Sequence, residues 1–222
     1  MRAPTTLESK HRAATDTRSH VYVVDDDDSV RESLQTLFEE WGYRPEVYAS
    51  AEEFLAYFRQ SAPGCLILDV GLPALNGLEL QQMMGNGQSG LPVIFITGNG
   101  DIPMTVQAMK GGAIEFLTKP FRPEVLLAAV NSAIELSRAH LGELLELNAL
   151  RKRRESLSRR EQEVMALVTR GQLNKQVAAA LGISEITVKA HRGRAMRKMK
   201  AKSLAELVTM EGRLRGVSPG KG

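Results

Sequence analysis

Four segments of this chain each place polar side chains directly after an apolar run. The acidic residues 25–28 follow VYVV, Asp69 follows CLIL, Thr97 follows PVIFI, and Lys119 lies two residues after AIEFL. The carboxyl ends of parallel strands meet at one edge of a sheet, which is where open sheets carry their sites. A carboxylate nucleophile, an acid cluster, a hydroxyl and an amine at that edge are suited to phosphate chemistry.

Asp69 is the candidate nucleophile, since it ends a buried strand and its carboxylate can attack a phosphorus atom from there. The acids of residues 25–28 repel one another unless a divalent cation offsets their charge. Mg²⁺ prefers one or two carboxylates together with carbonyl and phosphate oxygens. We take Asp26 as its first ligand and Asp25 as a supporting one. Asp27 and Asp28 are expected to cap the following helix, since acids favour a helix N-terminus.

Thr97 and Lys119 are the candidate phosphoryl contacts. Thr97 precedes a Gly-Asn-Gly loop, so its hydroxyl can donate to a phosphoryl oxygen, although a simple turn hydroxyl is the alternative. Lys119 precedes Pro120, which is expected in cis or in a rigid turn if the lysine points inward. Each position alone is weak evidence. Four positions at four strand ends, in this order, strongly indicate a phosphoryl site.

The elements that position these residues alternate between strands and helices. Five β-like runs (VYVV, PEVY, CLIL, PVIFI and AIEFL) are separated by helical candidates at residues 29–41, 51–58, 77–84, 104–110 and 123–138. Parallel strands need crossover connections, so the pattern predicts a doubly wound α/β fold: a five-stranded parallel sheet with helices on both faces.

The second half of the chain reads as helical throughout. Residues 138–157 contain no proline and suit a helical connector. Ile134, Leu141, Leu144 and Asn148 hint at a heptad seam that is too short for a coiled-coil assignment. Either a dimer seam or an amphipathic connector packed on its own domain fits this pattern.

A small all-α domain of four helices follows, at residues 158–169, 174–181, 184–199 and 203–211. Ser158 with Glu161, and Ser203 with Glu206, have the spacing of capping boxes. The residues around LGIS form a helix, a glycine turn and a second helix. The predicted core of this domain is Val164, Leu167, Val168, Val177, Ala178, Leu181, Ile183 and Val188.

The net charge of +3 conceals two oppositely charged segments. Residues 20–137 carry 6 Lys and Arg against 16 Asp and Glu, a balance of −10, and residues 138–222 carry 19 against 8, a balance of +11. Only the second segment is therefore expected to approach a polyanion, and nucleic acid is the expected one, with a solvated basic face as the alternative.

The segment SEITVKAHRGRAMRKMK separates basic from apolar residues on one helix. Its apolar face is expected to carry Ile186, Val188, Ala195 and Met199. If the N-terminal half enters a major groove, the residues presented to bases are Thr187, Lys189, Ala190 and Gly193. The residues available to phosphates are Arg192, Arg194 and Arg197. His191 can serve as a phosphate contact or as a packing residue.

The predicted cellular location depends on targeting signals, which the sequence does not display. No apolar run reaches the 18 or more residues of a transmembrane helix, and the N-terminus has no apolar signal-peptide centre. The single cysteine, Cys65, lies in a strand candidate, so no internal disulfide can form and a buried thiol is expected. A cytoplasmic protein without membrane contact is predicted.

Residues 20 to about 137 resemble the receiver domain of two-component response regulators, through VVDDDD, LILDVGLPALNGLEL and FITGNGDIPMTVQAMKGGAIEFLTKPF. Residues 157 to about 217 resemble the LuxR-type helix-turn-helix, through LSRREQEVMALVTRGQLNKQVAAALGISEITVKAHRGRAMRKM. The order is similar to that of FixJ- and NarL-type transcriptional regulators. The predicted organisation is a flexible tail at 1–19, a receiver at 20–137, a helical linker at 138–156, a DNA-binding domain at 157–217 and a tail at 218–222.

The resemblance implies a role for each site residue. Asp69 becomes the phospho-acceptor, Asp25 and Asp26 the acid pair, and Gly71 a Mg²⁺ ligand through its backbone carbonyl. Thr97 and Lys119 sense the phosphoryl group, and Phe116 occupies the position of the aromatic switch.

The implied function is a phosphorylation-activated, DNA-binding transcriptional regulator that is not a classical enzyme. A sensor histidine kinase and Mg²⁺ phosphorylate Asp69, the face at about residues 104–117 forms a homodimer, and the dimer binds double-stranded promoter DNA. RNA polymerase is a further possible partner.

Two other interpretations remain. A degenerate receiver could serve only for assembly, in which case DNA binding would be indifferent to Asp69→Asn. An aspartate-nucleophile phosphohydrolase is suggested by the DxDxV pattern at residues 26–30, and it would hydrolyse a free phosphomonoester.

Overall fold

The structure is a computed structural model that describes residues 18–60, 62–85 and 90–216. It contains two compact units that divide between His140 and Leu141. The tails predicted at residues 1–19 and 218–222 lie outside the described residues, apart from Arg18 and Ser19.

The first unit alternates strands and helices, as predicted. Its elements are β1 (His20–Val24), α1 (Asp28–Glu40), β2 (Arg44–Tyr48), α2 (Ala51–Tyr57), β3 (Gly64–Asp69), α3 (Gly77–Met83), β4 (Val93–Thr97), α4 (Ile102–Lys110), β5 (Glu115–Thr118) and α5 (Pro123–Glu155). The five strands form one parallel sheet in the order β2-β1-β3-β4-β5. The strand order reverses between β1 and β3, the kind of position at which doubly wound sheets bind ligands.

Alternate residues of the central strands enter two separate cores, one on each face of the sheet. Tyr22, Leu66 and Phe95 belong to one core, while Val23 and Ile67 belong to the other. Strands covered on both faces are buried along their whole length, which is why β1, β3 and β4 are almost continuously apolar. Cys65 is fully buried in β3, as predicted.

Local capping chemistry sets several helix ends. Asp27 is the N-cap of α1, and its carboxylate accepts from the Ser29 backbone N–H. Asp101 caps α4, which begins two residues earlier than predicted because the Asp101 carboxylate accepts from the Met104 N–H. The last strand was predicted at residues 113–117, whereas β5 begins at Glu115, after the turn at Gly112, whose φ is 87°.

α5 runs for 33 residues, through the predicted junction at residue 138. Ile134 is buried in the first unit's core, and Leu150 is buried in the core of the second unit. A heptad seam that includes Ile134 is therefore wrong, because that side chain already packs under the sheet. Leu144, another member of the proposed seam, is 41% exposed.

The second unit adds α6 (Arg159–Val168), α7 (Asn174–Leu181), α8 (Glu185–Met199) and α9 (Leu204–Leu214). Ser158 and Glu161 form the predicted capping box, and Gly182 ends α7 at φ 65°, a left-handed conformation that glycine adopts without steric cost. All eight predicted core residues belong to this unit's hydrophobic cluster. Across the described ranges, every helix is too short or too polar to cross a membrane.

Candidate functional site

The predicted phosphoryl-site residues lie at one edge of the sheet. Asp25 follows β1, Asp69 ends β3, Thr97 ends β4, and Lys119 follows β5. The Lys119 backbone N–H donates to the Thr97 carbonyl at 2.7 Å, which joins the last two strand ends. The Lys119–Pro120 peptide bond is cis, in agreement with one of the two predicted conformations.

Three carboxylates meet at this edge. Asp25, Asp26 and Asp69 each offer an oxygen, and these atoms lie within 4.8 Å of one another. Asp25 is fully buried, Asp69 nearly so, and Asp26 is exposed. The Lys119 Nζ atom lies 2.6 Å from Asp25 Oδ2 and 3.6 Å from Asp69 Oδ2. One ammonium opposes three carboxylates, so the cluster is short of positive charge.

Burial raises the pKa of Asp69, and the neighbouring Asp25 and Asp26 raise it further. The Lys119 ammonium and the Gly71 backbone N–H act in the opposite direction and lower that pKa. Asp69 Oδ1 is buried and has no hydrogen-bond partner among the described residues. A buried acceptor left unpaired costs about 1–3 kcal/mol, so this oxygen favours a ligand.

The donor set fits a hard divalent cation. Mg²⁺ takes oxygen ligands, usually one or two carboxylates, and retains several waters. The exposed Asp26, the unpartnered Asp69 oxygen and the excess negative charge satisfy that preference. Gly71 is exposed in the loop after β3, two residues beyond Asp69.

Arg31 is a site residue that the sequence reasoning missed. Its guanidinium donates to the Asp25 carbonyl and forms an ion pair with Asp28. The loop between β1 and α1 is thereby tied to the first turns of α1, while the Asp27 backbone N–H donates to Asp25 Oδ1 at 3.0 Å. The three-residue spacing between Asp28 and Arg31 was the available signal.

Thr97, Phe116 and Gly100 pack together where the loop after β4 begins. Thr97 is buried, and its hydroxyl accepts from the Asn99 N–H at 3.3 Å. The Phe116 ring is half-buried, with its centroid 6.2 Å from that of Phe95. A Cβ added to Gly100 would lie 2.9 Å from Phe116 Cε1 and 3.0 Å from Thr97 Cγ2. Glycine at position 100, which the sequence reasoning did not single out, therefore lets the loop pass close to both side chains.

The predicted DNA contacts differ in accessibility along α8. The exposed members are Lys189, Ala190, Gly193, Arg194 and Arg197, and the half-buried ones are Thr187, His191 and Arg192. Each half-buried residue has a local partner. Thr187 Oγ1 lies 2.8 Å from Ser184 Oγ, Arg192 reaches the Asn174 amide oxygen at 3.4 Å, and His191 Nδ1 lies 3.0 Å from Arg194.

Ile186 was assigned to the apolar face of α8, and this assignment is wrong. Its side chain is 80% exposed, whereas Val188, Ala195 and Met199 are fully buried. At 3.6 residues per turn, Ile186 lies roughly opposite the other three, so it cannot share their face.

A buried carboxylate holds two of the cations of α8. Glu161 has a side chain that is 4% exposed, and it lies 2.7 Å from Lys198 Nζ and 3.4 Å from Arg194 Nε. The hydrogen bond from Lys198 lowers the pKa of Glu161, and those from Ser158 lower it further. The sequence indicated the capping role of Glu161 but not this second role.

Comparison with known proteins finds two family models that match successive parts of the chain. "Response regulator receiver domain" matches residues 21–131, and "Bacterial regulatory proteins, luxR family" matches residues 155–211.

Similar full-length proteins show the same arrangement. "Response regulator protein TodT" of Pseudomonas putida is 46% identical over 204 residues, which are 92% of this chain and 90% of that protein. "Nodulation protein W" of Bradyrhizobium diazoefficiens is 50% identical over 194 residues, 87% of this chain and 86% of that protein. The solved structure of the response regulator StyR is 44% identical, with a TM-score of 0.77, and the match covers 88% of this chain and 99% of that one.

Proposed function

The chain belongs to the response regulators of the FixJ and NarL type, a receiver domain followed by a LuxR-type DNA-binding domain, and from that premise we propose that Asp69 is its phospho-acceptor. The protein is a DNA-binding transcriptional regulator of a two-component system. Activation by phosphorylation is typical of its family. The observation that supports Asp69 is its buried, unpartnered oxygen within a cluster of three acids and one lysine.

Phosphoryl transfer to Asp69 needs positioning and charge compensation rather than a separate base. A carboxylate oxygen of Asp69 attacks the phosphorus of a phosphohistidine, a P–O bond forms, and the P–N bond to the imidazole breaks. The ammonium of Lys119, already 3.6 Å from Asp69, offsets negative charge on the transferring group. Burial keeps these groups away from bulk water, in which their interactions would be weaker.

Asp25, Asp26, Asp69 and the Gly71 carbonyl are the proposed ligands of Mg²⁺. The metal supplies charge stabilisation to the phosphoryl oxygens when bound. The chain's own part is to hold the carboxylates together: Arg31 fixes the Asp25 backbone, and the Asp27 N–H orients the Asp25 carboxylate.

Thr97, Lys119 and Phe116 are the proposed switch residues. A phosphoryl group carries about −1.5 to −2 charges and three acceptor oxygens, so it competes for the Thr97 hydroxyl and the Lys119 ammonium. The side chains of Thr97 and Phe116 both lie close to Gly100, which belongs to the loop between β4 and α4. A shift of that loop on phosphorylation therefore changes the packing of the aromatic ring and of α4, which the loop precedes.

The α4 face is the proposed dimer surface. Ile102, Val106 and Met109 are 80%, 45% and 45% exposed. Their spacing puts all three on one side of the helix. Burying this stripe against a second copy removes apolar surface from water, so a switch that reorients α4 can drive association.

A sensor histidine kinase is the partner that the receiver domain implies. An apolar groove of about 390 Å³ borders Lys119 and is lined by α1 residues, including Leu34 and Leu37, and by Pro120 and Phe121. We infer that the phosphohistidine-bearing helix of the kinase contacts this groove while it delivers the phosphoryl group. A cytoplasmic location, where kinase and promoter are both accessible, is part of the proposal.

α8 is the proposed DNA-reading helix. Its exposed cations Arg194 and Arg197 can reach phosphates, and its N-terminal half, which includes the exposed Lys189, can enter the major groove. Thr187, Ala190, His191, Arg192 and Gly193 complete the proposed interface. A phosphorylated homodimer would bind half-sites about one helical turn apart and could then contact RNA polymerase.

The phosphohydrolase interpretation has no comparable support. It requires Asp26 and Asp28 to act together, but the Asp28 side chain is 83% exposed and forms an ion pair with Arg31. No further observation on the described residues favours it over the receiver.

The test is the intact mass of the full chain after incubation with Mg²⁺ and a small acyl-phosphate donor. We expect one added phosphoryl group on the wild type and on Asp28→Asn, a control in the same acidic run, and none on Asp69→Asn. The modified protein should then bind promoter DNA more tightly than the unmodified one. Phosphorylation of Asp69→Asn, or equal DNA affinity of the two wild-type forms, would contradict the proposal.

A further inference from the structure

The exposed stripe of α8 is largely uncharged. At 3.6 residues per turn, Ile186, Ala190, Gly193 and Arg197 follow one another along a single side, and Lys189 borders it. All five are exposed. The stripe therefore presents a large aliphatic group, a methyl group and bare backbone in sequence, with cations at its edge and at its C-terminal end.

Ile186 is the anomaly in this stripe. It is the second residue of α8, and its side chain is 80% exposed, among the most exposed large apolar side chains in the described part of the protein. Its neighbours do not cover it: Ser184 and Thr187 bond each other, and Val188 points into the core on the opposite side. The apolar surface of this isoleucine contributes favourable free energy only when a partner covers it and removes it from water.

The charge around the stripe identifies what contacts it. Lys189 and Arg197 carry positive charge beside the apolar surface, and the segment from residue 138 to 222 has a balance of +11. A cationic surface of this kind favours a polyanion over a second copy of itself. In B-DNA the apolar groups that a major-groove helix meets are the C5-methyl groups of thymine.

We propose that Ile186 is a specificity-determining residue that reads thymine through its C5-methyl group. The inference rests on the proposed DNA-binding role of α8. It adds which base is recognised and through which chemical group. The first turn of a recognition helix is the part that reaches the base edges, and Ile186 lies in that turn. Arg197, at the C-terminal end of the stripe, contacts phosphates, and such a contact carries no sequence information directly. Sequence preference at this point then comes from van der Waals contact rather than from a hydrogen bond.

The test uses deoxyuridine, which pairs like thymidine but lacks the methyl group. A random duplex library is first enriched on the full chain in the presence of Mg²⁺ and an acyl-phosphate donor. The enriched duplex is then synthesised with deoxyuridine replacing one thymidine at a time, and each affinity is measured. We expect at least one position in each half-site at which deoxyuridine weakens wild-type binding about fourfold, the effect of losing one buried methyl group.

Because both subunits of the dimer carry the substitution, Ile186→Ala should bind the unmodified duplex at least as weakly as the wild type binds a duplex with deoxyuridine at the sensitive position of both half-sites. It should also no longer distinguish the two bases at that position. Ile186 is exposed, so its truncation leaves the α8 core intact, which circular dichroism can verify. Leu145→Ala, which truncates a 71% exposed side chain on α5, is the matched control and should keep full deoxyuridine sensitivity.

Three results would overturn the inference, and they are distinguishable. If wild type binds an enriched sequence but is indifferent to every deoxyuridine, thymine methyl groups are not read. If Ile186→Ala keeps the wild-type sensitivity, another residue reads them. Both results leave DNA binding intact. A library that yields no enriched sequence contradicts the proposed DNA-reading role itself, and the inference with it.

Discussion

The Lys119 ammonium is closer to one of its two neighbouring carboxylates than to the other. Its ammonium lies 2.6 Å from Asp25 and 3.6 Å from Asp69, so Asp25, which is fully buried, has the shorter contact. Asp69 therefore keeps an oxygen available for a new bond. A phosphoryl group on Asp69 carries more charge than the carboxylate it replaces and is a stronger competitor for the same ammonium. The transfer of Lys119 from one partner to the other is the residue-level event that the proposed switch requires.

Glu161 provides a pH test at the same scale. Its pKa is lowered, chiefly by the hydrogen bond from Lys198, so the folded state favours the charged carboxylate. The stabilisation is complete above the ordinary glutamate pKa and disappears as the pH falls through the lowered folded-state value. We expect the second unit of the wild type to lose more stability on acidification than that of Glu161→Gln, which already lacks this charge.

Hydrogen exchange of the α6 and α8 amides, measured from neutral pH down to about pH 3, follows this unit separately from the first. Glu155→Gln, at an exposed position on α5, is the control and should retain the wild-type pH profile. Parallel loss of protection in wild type and Glu161→Gln would show that the ion pair with Lys198 does not govern the acid sensitivity.

At the scale of elements, Gln81 joins α3 to the C-terminal end of α4. Its side chain is 2% exposed, and its amide Nε2 donates to the Ala108 carbonyl at 3.2 Å. A Cβ added to Gly111 would lie only 2.3 Å from the Gln81 amide oxygen. Gly111 is the C-cap of α4 with an ordinary φ of −73°, so space and not backbone conformation requires glycine there.

Gly111→Ala is therefore expected to destabilise the first unit by about 1–3 kcal/mol through overpacking. Removing the obstructing amide should relieve that cost, so Gly111→Ala in a Gln81→Ala background should be nearly neutral relative to Gln81→Ala alone. Urea denaturation of the four proteins of this double-mutant cycle measures the coupling.

Gly142→Ala is the control for this cycle. Gly142 lies inside α5, and a Cβ added there would meet nothing within 4 Å. Alanine at that position should stabilise the helix by about 0.5–1 kcal/mol. The steric argument fails if Gly111→Ala costs the same with and without the Gln81 amide.

At the scale of the whole molecule, the chain joins a segment with a balance of −10 to one with a balance of +11. Opposite net charges attract over distances comparable to the Debye length, about 10 Å at 0.1 M salt and 3 Å at 1 M. Such an attraction needs no particular contact, and we expect it to compete with DNA for the basic segment. The second unit has its own hydrophobic core, so it can be compared with the whole chain as a separate fragment.

We expect residues 138–222 alone to bind duplex DNA several-fold more tightly than the unphosphorylated full chain at low salt, with the difference shrinking as salt rises. Fluorescence anisotropy at a series of salt concentrations measures both affinities. A difference that is unchanged across the salt series would show that long-range attraction does not reduce DNA binding.

The sequence alone determined where the phosphoryl-site residues would meet. Apolar runs of strand length alternate with amphipathic helices, and this alternation dictates a parallel sheet whose strand ends share an edge. Asp25, Asp69, Thr97 and Lys119 follow those runs and so had to converge there. Helix caps such as Asp27 and Ser158 were equally predictable, because a cap and the backbone amide that it satisfies lie within three residues.

Only the tertiary structure decided contacts between residues distant in sequence. Helix periodicity separates Ile186 from Val188, Ala195 and Met199, but packing against α6 and α7 decided which of these two sides enters the core. Glu161 and Lys198 are 37 residues apart, and Gln81 and Ala108 are 27 apart. Periodicity describes the faces of one helix, but which face is covered, and which buried polar group meets which partner, depends on how separate elements pack.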